Sequence, residues 1–466
     1  MQTLSERLQA LLMHLNISPD QPAHIAARMP QDWHPLLMDH GQAQSSSIAS
    51  MTLVCPAFLP TEGLAQFAKH HANRTVVYAS AMPQYGGAID TALADVSAVE
   101  QVHLSDYETR LWTDVIVDHG KLILSRLLAM QQDTSNAGYT PPDVEGEIAG
   151  IAYEVHDQTN GLGEPLILMP MGLSPAAWEP LLPQLSQHFC TIVLGGAYLG
   201  MMPVLELRGL AAGHQKMMSN LFEMIALQAG EHVLDIGSGS GVIDRWLAEV
   251  TAGANPITGM DLNDYLLKEA TALVRRAVDA GELPDVITFT KGNAEELPFP
   301  DNYFDVTFST TVMEEVDADQ MLREMIRVTK PGGRVAVFVR AMDMAFTLNM
   351  PVREELRLRY TTPQWNSTSP DGNNQEGKTC ATASLYRRFQ AQVSAGNLSD
   401  LQFGPQLSTF YEPFGVVEQF LLAGFANNLS DEDAAEWRAA MQQAADDGTF
   451  FLAWPHHCAV GTVVGE

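Results

Sequence analysis

The chain has 466 residues, with 26 Lys and Arg against 56 Asp and Glu, a formal net charge of −30. That length exceeds one ordinary domain, so two or three are expected. A field of that sign repels phosphate backbones and anionic headgroups, which argues against nucleic-acid and membrane-surface binding. No apolar run is long enough to span a bilayer, and no basic-then-apolar leader opens the chain, so a cytoplasmic location is expected. Cys55, Cys190, Cys380 and Cys458 lie far apart with no C-x-x-C, which fits reduced thiols better than a metal centre.

In chain order, Leu4 to Leu15 carries apolar residues at helical spacing, and the prolines at 19 and 22 end it. Asp39-His40-Gly41 echoes Asp118-His119-Gly120, each after a short apolar run. A His/Asp pair on each raises a degenerate metal site, but no Glu-x-x-His adjoins either pair, so two similar helix ends are the preferred reading. Residues 1–130 are therefore expected to be a separate, mixed but mostly helical region of unassigned role. Residues 131–149, rich in Gln, Asp, Ser, Asn, Gly and Pro, read as a linker.

Residues 150–204 read as a short β-α-β segment. Gly150 to Glu154, then Gly163 to Gly172, then Phe189 to Leu194, resemble the opening strands of an α/β-hydrolase, with Met171-Gly172 where His-Gly of the oxyanion region is usual. No G-x-S-x-G nucleophile elbow follows, which excludes an active hydrolase. The segment is expected to pack on the next domain or to form a dimer contact, giving a homodimer through the N-terminal region.

The densest chemistry lies at residues 233–241, Val-Leu-Asp-Ile-Gly-Ser-Gly-Ser-Gly. A short apolar run delivers Asp235 into a turn with Gly237, Gly239 and Gly241, and an amphipathic run from Val242 to Val250 follows. Glycines at a strand-to-helix turn let backbone approach a ligand closely. Asp261 stands 20 residues after Gly241, at the end of a second apolar run, placed to take both hydroxyls of a ribose. A dinucleotide would set its pyrophosphate over the first turn, where Asp235 repels it. The sulfonium and α-ammonium of S-adenosylmethionine suit that carboxylate instead, and the glycine spacing departs from G-x-G-x-x-G.

Further strands are expected at Val286 to Phe289, Tyr303 to Thr311 and Arg334 to Val339, with helical stretches between, which indicates an α/β doubly wound parallel sheet. VLDIGSGSG, GMDLN, GNAEELPFPDNYFD and RVTKPGGRV occur in that order. On these motifs, residues 229–340 resemble the class I S-adenosylmethionine-dependent methyltransferases, especially the small-molecule branch typified by ubiquinone and menaquinone biosynthesis enzymes. The resemblance implies a Rossmann-like methyltransferase domain over 205–466, with a helical cap insertion at about 341–420 and a closing antiparallel strand. It also implies that Asp235, Gly237, Ser238, Gly239 and Gly241 cradle the methionine part of the cofactor. Asp261 would hold the ribose, Leu262 the adenine face, Asn293 and Ala294 the adenine edge, and Thr310 the cofactor after the fourth strand. The chain departs from the family at Asn293, where Asp is usual, and at Glu315, where His is common.

Downstream, Ala341 to Tyr360 reads as helical, Thr361 to Thr379 as a polar loop and Ser384 to Val393 as a helix. Met342, Met344, Phe346, Met350, Tyr360, Trp365, Tyr386 and Phe389 are candidates to line an apolar or aromatic acceptor pocket. After a helix from Asp431 to Ala445, Thr449 to Trp454 and Ala459 to Val464 resemble a closing hairpin. Methyl transfer is an in-line displacement that relies on alignment, with a general base only for a hydroxyl or acidic-carbon acceptor. Glu314 and Glu315 rank first as that base, ahead of His214, His456 and His457. The rival functions are a non-catalytic scaffold with this fold and a NAD-dependent oxidoreductase.

Overall fold

The computed structural model describes residues 3–40, 47–56, 74–80, 99–105, 115–130, 139–172, 174–341, 343–361, 378–413 and 431–465, with single positions between 64 and 107. The chain divides into two compact units, Met1–Pro203 and Val204–Glu466.

The first unit is built on an eight-stranded sheet. Its strands are β1 (Ala23–Ala27), β2 (Ile48–Val54), β3 (Thr75–Ser80), β4 (Glu100–Leu104), β5 (Glu145–Ile148), β6 (Ile151–His156), β7 (Glu164–Leu168) and β8 (Phe189–Gly195). They run in the order β4-β3-β2-β1-β7-β8-β6-β5. β1 pairs in parallel with β2 and β7, and β6 pairs antiparallel with β8 and β5. Residues 1–130 thus contribute four strands beside their helices to a sheet shared with residues 145–195, so the expectation of a separate region is corrected, and the strands were not read from sequence. The reason is that β1 and β2 are buried along their whole length, and strands buried on both faces lose the polar–apolar alternation that marks a strand in sequence. Residues 150–204 are likewise no stand-alone β-α-β segment. Their likeness to a hydrolase is a likeness of half a sheet whose other half comes from residues 23–104.

The two-residue period of the strands divides the core. Ile25, Ala27, Ile167 and Met169 face one layer with Leu8, Leu11, Trp33 and Leu36 from the helices Leu4–His14 and Pro30–His40. Ala26, Leu166 and Leu168 face the other, with Ile116, Ile123 and Leu127 of the helix Val115–Met130. Residues 131–138 of the expected linker lie outside the described residues. Its remainder is tied in: Tyr139 is buried and its hydroxyl donates to the Leu15 carbonyl at 2.6 Å. The side chains of Asp39 and His40 are outside the described residues, and His119 lies edge-on to Tyr107.

The second unit has strands β9 (Val233–Ile236), β10 (Ile257–Asp261), β11 (Ile287–Lys291), β12 (Phe304–Thr310), β13 (Thr329–Arg340), β14 (Thr347–Asn349), β15 (Leu398–Phe410) and β16 (Phe451–Val463). Their order is β11-β10-β9-β12-β13-β16-β14, with β15 on β16. β9 to β13 are parallel, and β16 runs antiparallel to both β13 and β15. This is a doubly wound sheet whose winding reverses between β9 and β12, and ligands sit beyond the carboxyl ends of the strands at such a reversal. The helices Val242–Val250, Asp264–Asp279 and Ala318–Val328 connect these strands.

Two C-terminal expectations are corrected. The closing hairpin is one continuous strand: Pro455, which lies between the two arms, sits in β16, where its carbonyl accepts from Ala341 N–H at 3.1 Å. The helix expected over 341–360 is instead β14 followed by the shorter helix Glu354–Thr361. The cap region also holds the helix Lys378–Ser394, and residues 362–377 and 414–430 lie outside the described residues.

Asp32, in the helix Pro30–His40, has no exposed surface, and its carboxylate oxygens accept from Gly200 N–H at 3.1 and 3.0 Å. Burial raises its pKa to about 8, against the lowering by that hydrogen bond. The unfolded carboxyl ionises near 3.8, so the folded state is favoured fully below that pH and loses stability as pH climbs toward about 8. Asp32→Asn keeps an acceptor for Gly200. It is expected to flatten this decline, by up to roughly 1.4 kcal/mol per pH unit, in denaturant titrations run from pH 4 to 8.

Candidate active site

Gly237, Gly239 and Gly241 have φ of 79°, 55° and 69°, the left-handed region that side chains resist. A Cβ on Gly237 would overlap Val312 Cγ2, and one on Gly241 would lie 2.6 Å from Phe289 Cζ. The turn is fastened to the end of β10. Gly237 N and Ser238 N donate to the Met260 carbonyl at 2.7 and 2.9 Å, and Gly239 N donates to Asp261 Oδ2 at 2.9 Å. Asp261 Oδ1 accepts from Asn263 N at 2.9 Å. Each Asp261 oxygen keeps a second lone pair for a ligand hydroxyl.

Asp235, at the end of β9, is 1% exposed, and its Oδ1 has no hydrogen-bond partner. Beside it lies Asp244 from the first turn of the helix Val242–Val250, fully buried with neither oxygen partnered. Burial first, and then the neighbouring carboxyls Asp244 and Asp261, push the Asp235 pKa well up. Burial also raises Asp244, so the pair retains a proton where isolated carboxyls would not. Ser238 and Ser240 are buried with their hydroxyl oxygens unpartnered. A cradle closed to any Cβ, lined by polar atoms that lack partners, fits a ligand with a cationic group and several hydrogen-bonding atoms.

At the rim, Leu262 is 65% exposed, an apolar surface where the resemblance places adenine. Ala294 is buried and Asn293 exposed, and the Asn293 carbonyl oxygen accepts from Glu295 N at 3.0 Å. Thr310 ends β12, buried, and Ser309 beside it donates to the Ile236 carbonyl at 3.0 Å. The structure therefore gathers all ten residues assigned to the cofactor at the carboxyl ends of β9, β10, β11 and β12.

Glu314 and Glu315 sit in the short turn Met313–Glu315 after β12. Glu314 is 3% exposed, and its Oε1 accepts from Arg340 Nε at 3.0 Å, while Glu315 Oε1 pairs with the same guanidinium at 3.2 Å. Burial alone would lower the Arg340 pKa, but the two carboxylates outweigh it and raise it. Glu314 Oε2 is buried without a partner. His214, in the helix Ala212–Ile225, is buried, and burial with the nearby Arg208 charge brings its pKa down to about 3. His456 is buried and stacks on Phe338 at 4.4 Å between ring centres. His457 bonds Asp343 Oδ1 at 2.7 Å.

Sequence reasoning missed Asp244, Arg208 and Arg340. Arg340 closes an apolar strand and was there to be read; the other two give no local signal. The proposed pocket residues are not all brought together. Phe389 packs with Met313 and Leu385, whereas Met350 and Phe346 pack with Trp437 and Phe450 in a separate cluster. Tyr386 is half exposed against Phe403. Met342, Trp365 and the side chain of Tyr360 lie outside the described residues.

The second unit has a Rossmann-like, doubly wound fold with a glycine turn and an acidic residue at the strand ends, an arrangement similar to that of class I methyltransferases. Residues 234–337 match a methyltransferase domain family. The chain is 34% identical over 134 residues to a ubiquinone/menaquinone biosynthesis C-methyltransferase of Vibrio cholerae, covering 28% of this chain and 47% of that protein. It is 37% identical over 112 residues to the enzyme of the same description from Psychromonas ingrahamii, covering 24% and 43%. The chain thus spans about half the length of these curated relatives. A crystal structure of the YcgJ protein from Bacillus subtilis aligns at 17% identity and a TM-score of 0.35, covering 54% of this chain and 100% of that one. The methyltransferase family implies S-adenosylmethionine as methyl donor.

Gly237→Ala is expected to destabilise the second unit by roughly 1–2 kcal/mol or more, since it adds left-handed strain to the clash with Val312. Adding Val312→Ala should restore only the steric share of that loss. Thermal melts of the two variants against the parent measure the split.

Proposed function

We propose that the second unit transfers a methyl group from S-adenosylmethionine to a small-molecule acceptor. The observation that carries this is the glycine turn closed to side chains, with the buried, unpartnered Asp235 Oδ1 beneath it and the Asp261 carboxylate at its edge. Neither a NAD-dependent oxidoreductase nor a scaffold is favoured. A dinucleotide needs an anion at this turn, where Asp235 and Asp244 crowd acidic oxygens, and a scaffold has no use for partnerless atoms lining a cradle.

In this reading Asp261 receives the ribose hydroxyls, Leu262 lies against the adenine ring, and Gly237 to Gly241 admit the methionine part. The Asp235 and Asp244 carboxyls supply acceptors for its α-ammonium. When bound, S-adenosylmethionine supplies a methyl group on a sulfonium whose charge disappears on transfer, so the reaction asks the protein for alignment more than for acid–base chemistry. Arg340 fixes Glu314 and Glu315 at the end of β12. Glu314 Oε2 has a free lone pair and is the best placed of the candidate bases to take a proton from a protic acceptor. His214 stays neutral and is better suited to hydrogen bonding than to proton removal. The stacked Phe338–His456 pair, with Trp454 beside it, offers an aromatic wall that supports an aromatic acceptor.

Thermal melts with S-adenosylmethionine, S-adenosylhomocysteine and NAD added separately test the reading. A ligand at a hundred times its Kd stabilises by about 2.7 kcal/mol, a shift of a few degrees. Both sulfur nucleosides should produce it, NAD should not, and Asp261→Ala should abolish it. A shift with NAD alone would overturn the assignment.

A further inference from the structure

The second unit belongs to a chain with two acids for every base, and its basic side chains are satisfied accordingly. Arg245 pairs with Glu206, Arg327 with Glu324, Lys330 with Asp305, Arg334 with Glu231 and Arg340 with Glu314. Among the described residues Arg208 is the exception. It is partly buried on the helix Met202–Leu210, yet its guanidinium has no hydrogen bond or ion pair. The other bases of this unit without a carboxylate, such as Lys216, Lys268, Arg275 and Arg387, are exposed to water. Burial and the charge of Arg340 lower the Arg208 pKa to about 10, and the nearby Glu314 carboxylate offsets only part of that cost without forming an ion pair with it.

Its surroundings are those of a binding wall. His214 is 5% exposed and has no hydrogen bond, and His456 is 6% exposed with only its Nδ1 engaged, on the Trp454 carbonyl at 3.2 Å. Burial and the Arg208 charge keep both imidazoles neutral, so the wall presents one available cation flanked by two imidazoles with unused nitrogens. Two groups whose charges act on or respond to Arg208, Arg340 and His456, are register partners on β13 and β16, two and three strands from β9, on the acceptor side. The Arg208 helix itself borders the glycine turn, with Leu205 beside Gly239 and Gly209 against Val242.

We propose that the methyl acceptor is a carboxylic acid whose carboxylate is received by Arg208, with His214 as a second donor to it. His456 Nε2, left as a lone pair by the Nδ1 bond, takes a hydroxyl or amine proton of the same molecule. The inference rests on the methyltransferase reading, and the test separates the two. The full chain, saturated with S-adenosylhomocysteine, is melted with acetate, octanoate, benzoate and 4-hydroxybenzoate, each beside its neutral amide. At least one acid should stabilise where its amide does not. Arg208→Gln should weaken that acid's binding by about tenfold or more, and Arg208→Lys should retain part of it. The shift from S-adenosylhomocysteine itself should persist in both variants, which also shows that they fold. No acid outperforming its amide would overturn the proposal. Loss of the S-adenosylhomocysteine shift in Arg208→Gln would overturn it too, by assigning the cation to the donor's own carboxylate. No shift with S-adenosylhomocysteine in the parent chain would instead sink the methyltransferase reading.

Discussion

Three consecutive backbone N–H groups, those of Gly237, Ser238 and Gly239, donate to the end of β10, two to the Met260 carbonyl and one to the Asp261 carboxylate. This latch sets the path of the glycine turn. Because the turn curves back onto β10, its glycines take left-handed backbone, Val312 closes over Gly237, and the helix Val242–Val250 starts where Gly241 caps it. The same helix delivers Asp244 to Asp235. Without the latch, Asp235 would end its strand in open water, and the acidic pair beneath the turn would not form.

Carboxylates do two jobs around this turn. Asp261 is held by backbone N–H groups and is structural as well as ligand-facing. Asp235 and Asp244 have no such donors, and burial holds a proton on the pair. A bound cation would supply what they lack, so a site of this construction should be less comfortable empty than filled.

The second unit was legible because its elements announce themselves. β9, β10 and β12 are short apolar runs ending in glycine, aspartate or threonine turns, and the spacing from Gly241 to Asp261 is a chemical signal with few other causes. What was not legible has specific reasons. β1, Ala-His-Ile-Ala-Ala, has little strand propensity and owes its conformation to β2 and β7 on either side. Asp244 reads as an ordinary acid in the first turn of a helix, a place the dipole favours. Arg208 matters only because of what fails to surround it, and missing partners leave no trace in a linear pattern. Pro455 lies between the two arms read as a hairpin, but it stands within β16 beside the end of β13, where its carbonyl accepts from Ala341 N–H.

The order of the first sheet bears on synthesis as well as on shape. β1 is made well before one of its two neighbours, β7, which is among the last parts of that unit to be made. Through most of translation β1 to β4 can zip together while β1 keeps an open, almost wholly apolar edge. Such an edge invites pairing with foreign strands. A nascent chain stalled before Leu168 would therefore be adhesive, and the unit is safe only once its last third has arrived.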